Sequence, residues 1–152
     1  MRKVVKNAIV VDIQSANKMT SNSKNKIALT LGDPSGIGPE VIVKALHKIS
    51  KKTKNLPLII GDTKTIINTS KQMGVSFNFE SIKNISSLNN DSEKLFILDN
   101  EKYKDHTFLK GKNSVESGLA SHEWVELATD LAIEKKVDAI CTAPINKESW
   151  QM

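Results

Sequence analysis

Apolar and polar positions fall in alternating blocks along the chain, and the blocks read in turn as strands and helices. Ile27 to Leu31 is a short apolar run that stops at Gly32-Asp33-Pro34-Ser35-Gly36-Ile37-Gly38. A helical pattern starts at Pro39, with Ile42, Ala45, Leu46 and Ile49 on one face. Pro39 suits a first helical turn, where a missing N–H costs nothing. Leu56 to Ile60 predicts a second strand, closed by Gly61-Asp62, and Thr63 to Met73 a second helix with Gly74 as its stop. Val75 to Ile82 alternates, as a half-buried strand does, and Lys94 to Leu98 predicts another strand. Asn84 to Ser92 reads as a polar loop. Residues 101–113 carry no period and read as an exposed loop.

Asn113 opens the longest helical pattern. It is a good N-cap residue, and Glu116 stands three positions on, as in a capping box. Ala120, Trp124, Leu127, Ala128, Leu131 and Ala132 supply the apolar face, and Lys135 and Lys136 suit the negative end. Val137 to Ala143 then predicts a strand, and Pro144-Ile145-Asn146-Lys147 turns off its end. Strands alternating with helices predict an α/β fold with a largely parallel sheet flanked by helices. Ligands of such sheets gather at the carboxyl ends of the strands. The loops Gly32–Gly38 and Thr142–Lys147 both leave that end, so one cleft can hold both.

Composition narrows the function classes. The chain of 152 residues is 39% apolar and 26% charged, which suits one soluble domain with a real core. No apolar run reaches membrane-spanning length. The net charge of +5 comes almost wholly from scattered lysines, since Arg2 is the sole arginine. With aromatics at 5%, this favours a solvated lysine-rich surface over nucleic-acid binding. The single Cys141 excludes an internal disulfide and fits a reducing, cytoplasmic setting. Residues 1–26 differ from the rest: basic at first, then rich in Ser, Asn and Lys. They read as a mobile leader ahead of a 27–152 domain, or as a short strand and linker. Met19 offers an alternative start.

The glycine turn has two readings. Its backbone freedom and the free N–H groups of the following helix suit an anion; equally, it is a tight strand-to-helix connection. Val41 stands where a dinucleotide fingerprint needs a third glycine, and no P-loop can be drawn. His47, His106 and His122 lack metal-ligand spacing and read as surface or structural histidines. Cys141, inside an apolar strand, reads as a small buried hydrophobe. Lys147 could hold an anion, or be one more surface lysine. Asp33 could bind a hydroxyl or metal, or simply form an Asp-Pro turn.

Three segments together are more particular. LTLGDPSGIGPEVIVKAL (29–46), GKNSVESGLA (111–120) and VDAICTAPINK (137–147) resemble the 4-hydroxythreonine-4-phosphate dehydrogenase family of pyridoxal phosphate biosynthesis, from about residue 27 to the last residue. The resemblance implies a fold similar to isocitrate and isopropylmalate dehydrogenases, incomplete here. It implies NAD- and divalent-metal-dependent oxidation (zinc, magnesium or cobalt) of the 3-hydroxyl of 4-phosphohydroxythreonine. Decarboxylation to 3-amino-2-oxopropyl phosphate follows. It also implies a homodimer for the full-length enzyme. In the family the chain runs well past T-A-P-I-N-K, and the metal-binding histidines lie there. The resemblance therefore places no metal ligand in this chain, and the three histidines inherit no role. Gly32, Gly36, Gly38, Thr142 and Asn146 are expected to line the cleft, with Asp33 and Lys147 as catalytic candidates and no residue assigned to NAD. The expectation is an N-terminal portion that is inactive alone. Its rivals are a family relative acting on another hydroxy acid or dihydrodiol, and a non-catalytic phosphate-binding, nucleotide-binding or assembly module.

Overall fold

A computed structural model describes residues 24–49, 55–89 and 94–152. The expected leader therefore lies outside the described residues up to residue 23, as does Met19. Five strands form one parallel sheet: β1 (Lys26–Thr30), β2 (Leu56–Ile60), β3 (Phe79–Ile82), β4 (Leu95–Leu98) and β5 (Ala139–Thr142). Their order across the sheet is β3-β4-β2-β1-β5, every neighbouring pair parallel. The helices are α1 (Gly38–Ile49), α2 (Thr63–Gln72), α3 (Val115–Ile133) and α4 (Lys147–Gln151). The chain winds from β1 to β2 and β3 in one direction, then crosses back from β4 to β5. Right-handed crossovers put α1 and α2 on one face and α3 on the other. This is the expected α/β class.

The strands are apolar because both faces of the central ones are covered. All four residues of β4 are buried, and Leu58, Ile59, Ile60, Phe96 and Ile97 are fully so. Ile42, Val43 and Leu46 of α1 enter this core. Ala45 and Ile49, expected on the same face, are exposed, because Val43 takes the inward position. Ala120, Trp124, Ala128, Leu131 and Ala132 of α3 are buried as its periodicity predicted, while Leu127 is only half-buried. Among the described residues no helix is long and apolar enough to cross a membrane.

Several expectations need correction. The ladder of β3 begins only at Phe79. Residues 75–78 lie outside it because Val75 N–H donates to Ser70 O and the Ser70 hydroxyl donates to Val75 O, which folds this segment back on the end of α2. Ser114, not Asn113, caps α3: its backbone is extended and its hydroxyl accepts from Ser117 N–H. Cys141 is exposed. Within the described sheet β5 is an edge strand, and side chains alternate between its faces. Ile140 is buried with its neighbour Ala28, whereas Cys141 and its register partner Leu29 face a less covered side.

The expected turn at 144–147 leads into the short α4, which begins at Lys147. This helix is capped by Asn146, whose side-chain oxygen accepts from Glu148 N–H and Ser149 N–H. It packs on α3 at Gly118, where a Cβ would run into the Ser149 carbonyl. Trp150 Nε1 then donates to the Ser121 hydroxyl at 2.6 Å, which donates to Gly118 O. Gly118→Ala is expected to push α4 off α3 and lower stability by about 1–3 kcal/mol. Urea denaturation, with hydrogen exchange at Ser149 and Trp150, reads both effects.

Candidate functional site

The carboxyl ends of β1 and β5 lie side by side where the strand order reverses, the usual position of a crevice in such sheets. Here the two loops meet directly. Ala143 N–H donates to Thr30 O at 3.1 Å, and Asp33 N–H donates to Pro144 O at 2.9 Å. Gly32 sits between these bonds at φ +70°, and a Cβ on it would collide with the Pro144 carbonyl. Two requirements thus coincide at one residue: a left-handed backbone, and no side chain at a close crossing. Gly38 is similarly confined against the Leu31 carbonyl.

Asp33 is 4% exposed. One carboxylate oxygen accepts from Ser35 N–H at 2.8 Å, and its carbonyl accepts from Gly36 N–H at 3.1 Å. That is an Asx turn, one of the two readings its sequence allowed. Residues 32–35 are all buried, and Ile37 projects outward at 65% exposed. The turn is therefore packed against its own chain at Gly32 and Gly38.

What covers the turn was missed in the sequence. The segment 101–113 is the irregular, largely exposed loop expected, and it also forms a strap across the turn. Gly111 N–H donates to Ser35 O at 2.8 Å, and Lys110 Nζ donates to Gly36 O at 2.8 Å. Lys110 also pairs with Glu40 of α1 at 2.8 Å, while the second Glu40 oxygen is buried without a partner among the described residues. The strap is anchored on α3. Tyr103 and Phe108 pack edgewise on Trp124, Tyr103 Oη donates to Glu123 at 2.9 Å, and Lys102 pairs with Glu123. Burial, then the Glu123 carboxylate, push the Tyr103 hydroxyl well above its usual pKa. Residues 101–113 show no hydrophobic period; the signals in the sequence that could have found the strap are a glycine at 111, which the structure places in a left-handed conformation, and the aromatics Tyr103 and Phe108.

The remaining candidates divide. Asn146 Nδ2 donates to Asn113 Oδ1 at 2.5 Å, and Asn113 Nδ2 donates to Glu148 at 2.8 Å. Asn113 thus ties the start of α3 to the loop after β5. Thr142 is half-buried at the end of β5, beside its register partner Thr30, whose hydroxyl is fully buried without a partner among the described residues. Lys147 is exposed at the first residue of α4. The three segments 29–46, 111–120 and 137–147 therefore converge on one end of the sheet. His47 packs against Phe77, His106 against Phe108 and His122 against Trp150, and His106 lines a cavity with Pro34 of the glycine turn. Among the described residues no group of three or more His, Cys, Asp or Glu is placed to hold a metal ion.

Known proteins match this arrangement. The family model for the pyridoxal phosphate biosynthetic protein PdxA matches residues 53–152. A protein of Fusobacterium nucleatum named "Putative D-threonate 4-phosphate dehydrogenase" is 38% identical over 128 residues, 83% of this chain and 38% of that protein. One of the same name from Oceanobacillus iheyensis is 34% identical over 86% of this chain and 39% of its own. The crystal structure of a 4-hydroxythreonine-4-phosphate dehydrogenase from Burkholderia phymatum superposes with a TM-score of 0.76 at 32% identity, over 85% of this chain and 39% of that one. The chain thus spans about two fifths of the length of these relatives.

Two substitutions separate a turn role for Asp33 from a charge role. Asp33→Asn keeps an acceptor for Ser35 N–H and is expected to change stability little. Asp33→Ala removes it and is expected to cost about 1–2 kcal/mol. Gly32→Ala is expected to cost about 2–4 kcal/mol, combining left-handed strain with the collision. Thermal or urea unfolding of the three variants gives the comparison.

Proposed function

Because the chain belongs to the PdxA family of pyridoxal phosphate biosynthetic proteins, we propose that it forms the N-terminal part of a dehydrogenase acting on a small 4-phosphorylated hydroxy acid. The observation that carries this reading is the joint match of sequence and fold to proteins named for that activity. In the proposed reaction the carbon bearing the secondary hydroxyl gives a hydride to NAD, and the hydroxyl loses its proton. The resulting β-keto acid releases carbon dioxide. With 4-phosphohydroxythreonine the product is 3-amino-2-oxopropyl phosphate.

A second substrate of the same class has its own support, since the two sequence relatives carry the name of D-threonate 4-phosphate dehydrogenase. Both substrates present a carboxylate, a phosphate and an oxidisable hydroxyl, and differ by an amine against a hydroxyl at the carbon next to the carboxylate. The contribution we assign to this chain is the β1–β5 rim: Thr142, Asn146 and Lys147 beside the glycine turn. Lys147 would supply positive charge for the anionic groups. A divalent cation would polarise the hydroxyl in the whole enzyme. The described residues do not fit that ion, so no step is assigned to it here, and no residue of this chain is assigned to NAD. A homodimer and a cytoplasmic setting accompany this reading.

The test joins this chain to the remainder of the Burkholderia phymatum enzyme and follows NADH formation with each substrate and a divalent cation. The chain alone is expected to give no NADH, and the joined protein to give it. Lys147→Met in the joined protein is expected to raise KM at least about tenfold. Turnover by the chain alone would overturn the partial-site reading. A folded joined protein that binds either substrate yet reduces no NAD would overturn the dehydrogenase reading.

A further inference from the structure

Between α2 and the strap lies a cavity of about 190 Å³ that the functional reading above does not use. One wall is a face of α2, with Lys64, Asn68 and Gln72 on successive turns. The other is Thr107 and Lys110 of the strap, and Pro34 of the glycine turn closes it. The volume lies below the roughly 300 Å³ at which pockets for drug-sized ligands begin. It suits a single small ion or head group.

Its charge is one-sided. Among the described residues no Asp or Glu lines it. Two acids lie close by and are already engaged: Asp62 accepts from the N–H of the lining residue Thr65, and Glu40 pairs with Lys110. Both ammonium groups are held in place by other bonds. Lys64 Nζ donates to His106 O at 3.2 Å and to Thr107 Oγ1 at 3.3 Å. Lys110 Nζ donates to Gly36 O and to Glu40, both at 2.8 Å. An ammonium has three donors, and two on each lysine are engaged among the described residues. The side-chain amides of Asn68 and Gln72 add neutral donors to the wall. Cations already fixed by the main chain lose little further freedom when an anion arrives.

From this geometry we propose that the cavity binds a small anion, a phosphate or carboxylate group, between Lys64 and Lys110. The same two lysines hold the strap to α2 and to the glycine turn. Occupancy therefore braces all three segments. The proposal stands on the cavity and holds whichever reaction the longer enzyme performs.

Titration of the isotope-labelled chain with inorganic phosphate, followed by amide chemical shifts, tests it. Saturable shifts are expected at Asn68, Thr107 and Lys110, absent with chloride at the same ionic strength. Asn68 is exposed on α2, so Asn68→Asp leaves the fold intact and sets a carboxylate in the cavity. It is expected to weaken phosphate binding at least about tenfold, as is Lys64→Gln. Asn68→Lys is expected to preserve or tighten binding. Shifts that do not saturate, that chloride reproduces, or that are unchanged in Asn68→Asp would overturn the site.

Discussion

The close crossing of Gly32 and Pro144 is the constraint on which the functional end of the sheet depends. Two parallel strands normally diverge into their loops after the last ladder bond. Here the pairing continues one step further, from Ala143 N–H on Thr30 O to Asp33 N–H on Pro144 O. Only a residue with no side chain and a left-handed backbone fits between those bonds. The rest follows in order. Asp33 is drawn inside and must satisfy its carboxylate, which it does with Ser35 N–H. Ser35 then presents its carbonyl to Gly111, and the strap is brought down on the turn.

This order gives Gly32 and Gly38 a part in folding. Both glycines abut main-chain carbonyls, so neither opens a cradle for a ligand. The described groups that remain reachable at the rim are exposed Lys147 and half-buried Thr142 and Asn146. That set can hold phosphate or carboxylate. It contains no histidine and no carboxylate group with metal-ligand geometry among the described residues. A dehydrogenase built on it needs its hydride acceptor and Lewis acid positioned by other residues.

Much of the fold was legible because it rests on periodicity. All five strands and the three longer helices appear where apolar spacing placed them, within a few residues. The parallel sheet followed from their alternation. The errors share a physical cause, which is that they depend on distant partners. Cys141 reads as buried from its neighbours in sequence, yet its exposure goes with the strand's place at the edge of the described sheet. Asn113 reads as a cap by type, yet Asn146 and Glu148 claim its side chain and Ser114 takes the role. The loop 101–113 is irregular and largely exposed as expected, but its covering of the turn was not legible, because single residues tether it: Tyr103, Phe108, Lys110 and Gly111. At the candidate site, the meeting of the Gly32–Gly38 and Thr142–Lys147 loops could be inferred from topology. The burial of Asp33 could not, since it depends on the Asx turn closing beneath the strap.

The helix α3 explains how such dispersed tethers hold together. Its inner face, through Ala120, Trp124, Ala128 and Leu131, belongs to the core. Its flanks serve two further neighbours. Gly118 and Ser121 seat α4, and with it the loop carrying Thr142 to Asn146. Glu123 and Trp124 seat Lys102, Tyr103 and Phe108, and with them the strap. One helix thus backs both structures that frame the glycine turn. Beside its apolar face, small residues stand where α4 approaches, and an acid stands where the strap's lysine and tyrosine arrive. A disturbance at either flank reaches the rim through this shared support rather than through the sheet.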